Sequence, residues 1–137
     1  MSSDQDSAGV VRRFFEAFNA GDMEAAFAAL SPDIEWTYHG PRDRIPFAGT
    51  FVGHAGVQDF FARAGEVIEV KEMTPLALVG VGDRVFGRGI EHSRSLATGR
   101  EYRVQWSHIY AVKDGLMTRF DEFIDTAAVA ECLTAEP

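Results

Sequence analysis

Apolar residues recur at helical spacing near the start of the chain. Val10, Val11, Phe14, Phe15 and Phe18 fall on one face and predict an amphipathic first helix ending near Ala20. Gly21 supplies its stop and Asp22 caps the next start, so residues 23–30 read as a second short helix with Phe27 and Leu30 turned inward. Ser31 and Pro32 break that spacing. Beyond them Ile34, Trp36 and Tyr38 alternate with Glu35, Thr37 and His39, the period of a strand with one buried face. Residues 40–53 hold no sustained period and are expected to form a loop anchored by Phe47 and Phe51, after which Val57, Phe60, Phe61 and Ala64 predict a third helix.

From about Gly65 the chain changes character. Segments near 67–80, 84–95, 101–113 and 116–125 are rich in β-branched and aromatic residues, and Gly82-Asp83, Ala97-Thr98-Gly99 and Asp114-Gly115 separate them, as in an antiparallel meander. Residues 127–133 predict a short last helix that packs through Val129 and Leu133. The expected class is α+β: a cone in which a curved, mainly antiparallel sheet wraps around an N-terminal helix hairpin. One domain over residues 1–137 is expected, with residues 1–6 frayed.

Reading each strand from its apolar residues gives one inward list, and it contains polar residues. Trp36 and Tyr38 join Gly87, Gly89, Glu91 and Ser93, then Val104, Trp106, His108 and Tyr110, then Phe120, Glu122 and Ile124. A carboxylate facing a closed apolar interior is too costly to keep without a partner or a cavity, and burial raises its pKa towards the range useful for proton transfer. His108 and Glu122 lie at nearly equal distances from the Asp114-Gly115 turn and are expected to be cross-strand neighbours. Glu91 is expected at the depth of Trp106 or His108. Asp33 and Asp121 fall on polar phases and are expected in solvent, while Asp125 reads as a helix cap.

Composition narrows the partners. The 137 residues are 46% hydrophobic, enough for one core, and the net charge of −8 opposes a phosphate-binding surface, so no nucleic-acid partner is expected. The single cysteine, Cys132, gives neither an internal disulfide nor a thiolate cluster. His39, His54, His92 and His108 lack metal-ligand spacing, and no glycine-rich loop opens a helix, so neither metal nor cofactor is expected. The first residues lack a leader's basic and apolar blocks, and no apolar run is long enough to span a bilayer. A cytoplasmic protein without membrane contact is expected. Arg103, Gln105 and Ser107 make the outer sheet face polar, but Ile109 and Ala111 are apolar, and a homodimer through that face is expected.

The passages FFEAFNAGDMEAAFAALSPDIEWTYHG, PFAGTFVGHAGVQDFF and WSHIYAVKDGLMTRFDEFIDTAAVAECL, in this order, resemble the SnoaL-like branch of the nuclear transport factor 2-like superfamily across nearly the whole chain. That resemblance implies the cone fold and one of several activities: polyketide cyclisation, steroid isomerisation, dehydration, epoxide hydrolysis or ligand binding without chemistry. Aligned through Thr98, Gly99 and Arg100, the two acids of the limonene epoxide hydrolases fall on Glu91 and Glu122. The arginine those enzymes carry two residues before the first acid is Gly89 here, and the Tyr and Asn that hold their attacking water are replaced by Trp36 and Tyr38, which leaves the water-positioning set incomplete. The cyclases' pairing of histidine with an acid matches His108 and Glu122.

These readings converge on a small cofactor-independent enzyme acting on a flat apolar carbonyl compound. Glu122, oriented by His108, moves a proton beside the carbonyl, and Tyr38 or a protonated Glu91 donates to the developing oxyanion. Trp36, Phe47, Phe51, Ser93, Val104, Trp106, Phe120 and Ile124 are the expected substrate-binding residues. The rival readings are a non-catalytic hydrophobic ligand-binding or dimeric interaction domain, and epoxide-hydrolase-like hydration.

Overall fold

The computed structural model describes residues 3–134, with side chains from residue 6 onward. The first helix, α1 (Ser3–Asn19), buries Val10, Val11, Phe14 and Phe15 along the face that the spacing predicts. The expectation for residues 1–6 falls in part on residues 1 and 2, outside the described ones. Gly21, at φ +76°, ends α1: its N–H reaches the Phe18 carbonyl at 3.1 Å and that of Asp22 the Ala17 carbonyl at 2.9 Å. This left-handed glycine closure absorbs two carbonyls the helix end leaves open. The Asp22 side chain then accepts from Ala25 N–H and caps α2 (Met23–Ala28).

Two expectations fail between residues 30 and 53. Leu30 starts β1 (Leu30–Tyr38) instead of ending α2, and Pro32 lies within that strand. The register of β1 shifts between Leu30 and Glu35, so Pro32 occupies a stretch where its missing N–H breaks no ladder bond. The expected loop contains a strand, β2 (Gly49–Val52), antiparallel to β1. With four residues and only Phe51 buried, β2 is too short for a period of two to show.

After α3 (Gly53–Val67) come β3 (Ile68–Val81), β4 (Arg84–Ser95), β5 (Glu101–Lys113), β6 (Leu116–Ile124) and α4 (Thr126–Leu133). The six strands lie in the order β2-β1-β6-β5-β4-β3. Three tight hairpins join β3 to β6. In the last, Asp114 and Gly115 take φ 53° and 78°, the paired positive values that match a hairpin's twist. The Asp125 side chain caps α4 by accepting from Ala128 N–H, and α4 buries Val129 fully but Leu133 only in part. Among the described residues, no helix is long and apolar enough to cross a membrane.

One pairing sets up everything that follows. β1 joins β6 in parallel, with Trp36 opposite Phe120 and Tyr38 opposite Glu122. The sheet is therefore mixed and curves around α1, and its concave side faces α1 and α3 across a layer of rings. Trp36 packs 4.0 Å from Phe120 and 5.5 Å from Phe60, centroid to centroid.

Candidate active site

The period of two along β4, β5 and β6 brings Glu91, His108 and Glu122 to the concave face, where all three are buried. His108 stands opposite Glu122 in the β5–β6 register, and its Nε2 lies 2.8 Å from Glu122 Oε2. The other ring nitrogen, Nδ1, lies 2.5 Å from the Tyr110 hydroxyl. Every donor finds an acceptor when Tyr110 O–H donates to Nδ1 and Nε2–H donates to Glu122. Burial, then the charge of Glu122, raises the Tyr110 phenol well above its ordinary pKa, which keeps it a donor.

Glu91 lies opposite Val104, not at the depth of Trp106 or His108 as expected. Its partners are hydroxyls. Ser93 Oγ donates at 2.6 Å and Tyr102 Oη at 2.7 Å, both to Oε2. Burial, followed by the charge of Glu122, pushes the Glu91 carboxyl up to about 7, against the opposite pull of those two hydrogen bonds. Tyr38 is raised above the phenol range by burial and then by the charges of Glu122 and Glu91, so it too stays protonated.

These groups meet in a cavity of about 250 Å³. Of the expected site residues, Trp36, Tyr38, Phe47, Glu91, His108, Phe120 and Glu122 line it. Phe51, Ser93, Val104, Trp106 and Ile124 do not, each for a visible reason. Phe51 backs Phe60 at 5.5 Å, and Ser93 is spent on Glu91. Val104 pairs with Glu91 across the ladder, and Ile124 lies at the end of β6, half-buried. Trp106 lies flat on His108, 3.8 Å between centroids and 14° from parallel, with Phe15 parallel to it on 5.7 Å centres. Gly89 makes this possible: a Cβ there would meet Trp106 Cζ2 at 2.2 Å.

The helices contribute a wall that the expected binding residues do not include. Phe14, Phe15 and Phe18 of α1 and Phe60 and Phe61 of α3 line the cavity, and Val70 and Met73 of β3 stand near them. Their helical spacing was legible, but spacing alone does not separate a ring that fills a core from one that borders a space within it. Two buried polar atoms of lining residues, Trp36 Nε1 and Tyr38 Oη, have no hydrogen-bond partner among the described residues; Trp106 Nε1, outside the lining, has none either. A buried donor without an acceptor is costly, which gives lining donors a purpose if an oxygen-bearing molecule enters.

Asp121, expected in solvent, is buried on the opposite face of β6. Burial works to raise its pKa, but His39 at 2.8 Å and Arg119 at 2.9 Å outweigh it and hold the carboxyl below its usual value. No group of three potential ligands for a metal ion comes together among the described residues.

A family model described as a SnoaL-like domain matches residues 11–120. Among solved structures, an NTF2-like protein from Burkholderia xenovorans LB400 superposes with a TM-score of 0.85 at 31% identity, over 98% of this chain and 100% of that one. An NTF2-like protein of unknown function from Burkholderia pseudomallei K96243 gives 0.87 at 27% identity, with the same two coverages of 98% and 100%. TerC, co-crystallised with polyporic acid, gives 0.84 at 26% identity over 95% of this chain and 99% of that one. No curated protein matches the sequence.

Proposed function

We propose that this chain, which belongs to the SnoaL-like domain family, is a cofactor-independent enzyme that moves a proton beside the carbonyl of a small, flat, apolar compound. The observation that carries the reading is the buried His108–Glu122 pair at 2.8 Å, opening onto an aromatic cavity in which Tyr38 and Trp36 hold unused donors. Glu122 removes the proton with its second oxygen, while His108 and Tyr110 fix its first. Tyr38 Oη–H and Trp36 Nε1–H stabilise the enolate oxygen, an arrangement strengthened by the low dielectric of the ring-lined space. Isomerisation, aldol-type cyclisation and dehydration share this step.

Hydration of an epoxide is the weaker reading. The arginine it would require at position 89 meets the Trp106 ring and the Thr74 carbonyl, 2.2 and 2.3 Å from the first side-chain atom. A homodimer through the outer sheet face belongs to the same proposal and is supported by exposed Val79, Val81 and Phe86 beside half-buried Ile109.

The test is hydrogen–deuterium exchange at the α-carbon of aromatic ketones, followed by NMR. Wild-type protein is expected to accelerate exchange, and Glu122→Gln to lose about 10²- to 10⁴-fold of that acceleration with its melting curve unchanged. Undiminished exchange in the variant removes Glu122 from the mechanism, and no acceleration by the wild-type protein leaves a binding domain.

A further inference from the structure

Charge around the cavity has one sign. Glu91 and Glu122 both line it, and among the described residues no lysine or arginine does. Neither acid is offset by a strong base: Glu91 meets the hydroxyls of Ser93 and Tyr102, and Glu122 meets His108. β1 adds Trp36 and Tyr38, β3 adds only Ile68, Val70 and Met73, and α1 and α3 add phenylalanines, Ala64 and Gly65. Both hydrogen bonds to Glu91 land on Oε2, so Oε1 accepts none among the described residues.

We propose that the cavity takes an aromatic ketone carrying a protonated amine, with the ammonium on Glu91 and the ketone oxygen on Tyr38 and Trp36. This rests on the proton-transfer reading, since it gives Glu122 the carbon next to that ketone. The ammonium supplies the missing cation and donates to the open oxygen of Glu91. The surrounding rings favour the same charge, because the face of an aromatic ring is negative and attracts a cation more strongly once water is removed. A carboxylate-bearing ligand would instead bring a third acidic group into a desolvated space whose lining holds no lysine or arginine to meet it among the described residues. Size adds a bound: about 250 Å³ lies just below the usual range of roughly 300–1,000 Å³ for ligand pockets, room for one or two rings.

Binding of a cation is coupled to the proton on Glu91. Near neutral pH that carboxyl is partly protonated, because burial and Glu122 push its pKa up to about 7. An ammonium needs the ionised form, so its affinity rises with pH through that value. A neutral ketone gains nothing from the change.

Isothermal titration of the wild-type protein with three matched probes tests this at pH 6 and pH 8. The probes are 4′-(aminomethyl)acetophenone, its neutral analogue 4′-ethylacetophenone, and the anion 4-acetylbenzoate. The amine is expected to bind at least about tenfold tighter than the neutral ketone at pH 8 and to lose about tenfold at pH 6, with the anion weakest. Glu91→Gln should erase the gap, and its retained binding of the neutral ketone shows that the variant is folded. Equal or tighter binding of the neutral ketone by wild-type protein overturns the inference. Deuterium exchange at the acetyl methyl separates the two proposals. Exchange without preference for the amine overturns the charge assignment alone, whereas preference without exchange upholds it and overturns proton transfer.

Discussion

Glu91 and Glu122 are the same residue type, each 4% exposed, facing one cavity from two strands of one sheet. Their surroundings differ by what stands nearby in the ladder. Glu91 faces an apolar residue, Val104, and borrows two hydroxyls from Ser93 and Tyr102. Glu122 faces His108, itself held from behind by Tyr110. Hydroxyls carry only partial charges, so at Glu91 the cost of burying an anion wins and the proton stays on to about pH 7. The apolar period brings both acids inward, and strand register then assigns their chemistry. A one-residue slip of β5 against either neighbour would put Ser107 or Ile109 where His108 stands.

The largest expected effect that separates the two acids is pH-dependent stability. Glu91 ionises near 4.5 in the unfolded chain and near 7 when folded, so its contribution is fully present below the lower value. It is lost as pH rises through the upper one. The loss is on the order of 3 kcal/mol, and above pH 7 it is constant. Urea unfolding between pH 4 and 8 should show this decline in wild-type protein and not in Glu91→Gln, which becomes the more stable of the two at pH 8. Parallel curves would mean that Glu91 is ionised in the folded protein throughout.

A smaller effect comes from the glycine between the two halves of the site. In Gly89→Ala the new methyl meets the Trp106 indole at 2.2 Å and the Thr74 carbonyl at 2.3 Å, and backbone does not yield as a flexible side chain would. Trp106 must leave its stack on His108, so the Glu122 half is disturbed while the hydroxyls on Glu91 keep their positions. Overpacking of this kind costs about 2 to 3 kcal/mol. Thermal unfolding measures it, and a change below about 0.5 kcal/mol would show that Trp106 has another resting place.

Much of this was legible before any coordinates. Strands β4 and β5 follow the expected bounds because each alternates for a dozen residues between tight turns, and that regularity makes the pairing of His108 with Glu122 a matter of counting from Asp114-Gly115. The segment from Leu30 to Val52 was legible only in part: the alternation of Ile34, Trp36 and Tyr38 gives a strand with the right buried face, but neither its start, its partners nor β2. Its pairings are non-local: β1 runs parallel to β6, about eighty residues away, and β2 is four residues long. The binding residues failed for another reason. Phe51 and Trp106 have inward phases and large rings, but side-chain phase gives the face of a strand and not which rings a neighbour covers, as Phe60 covers one and His108 the other.

The smallest effect probes the comparison most finely, because it uses the two tyrosines that serve the two acids. Tyr102→Phe removes a donor from Glu91 Oε2, and Tyr110→Phe removes one from His108 Nδ1. Each loses one buried hydrogen bond and is expected to cost about 1 kcal/mol, so stability alone does not distinguish them. Their titrations do. The Tyr102 hydroxyl favours the ionised form of Glu91, and without it the carboxyl holds its proton to higher pH. In Tyr102→Phe the pH at which stability levels off should therefore move above 7, while in Tyr110→Phe it should stay in place. An equal shift in both variants would mean that the proton on Glu91 responds to the hydrogen bonds of both clusters, and the division of labour between Glu91 and Glu122 would have to be given up.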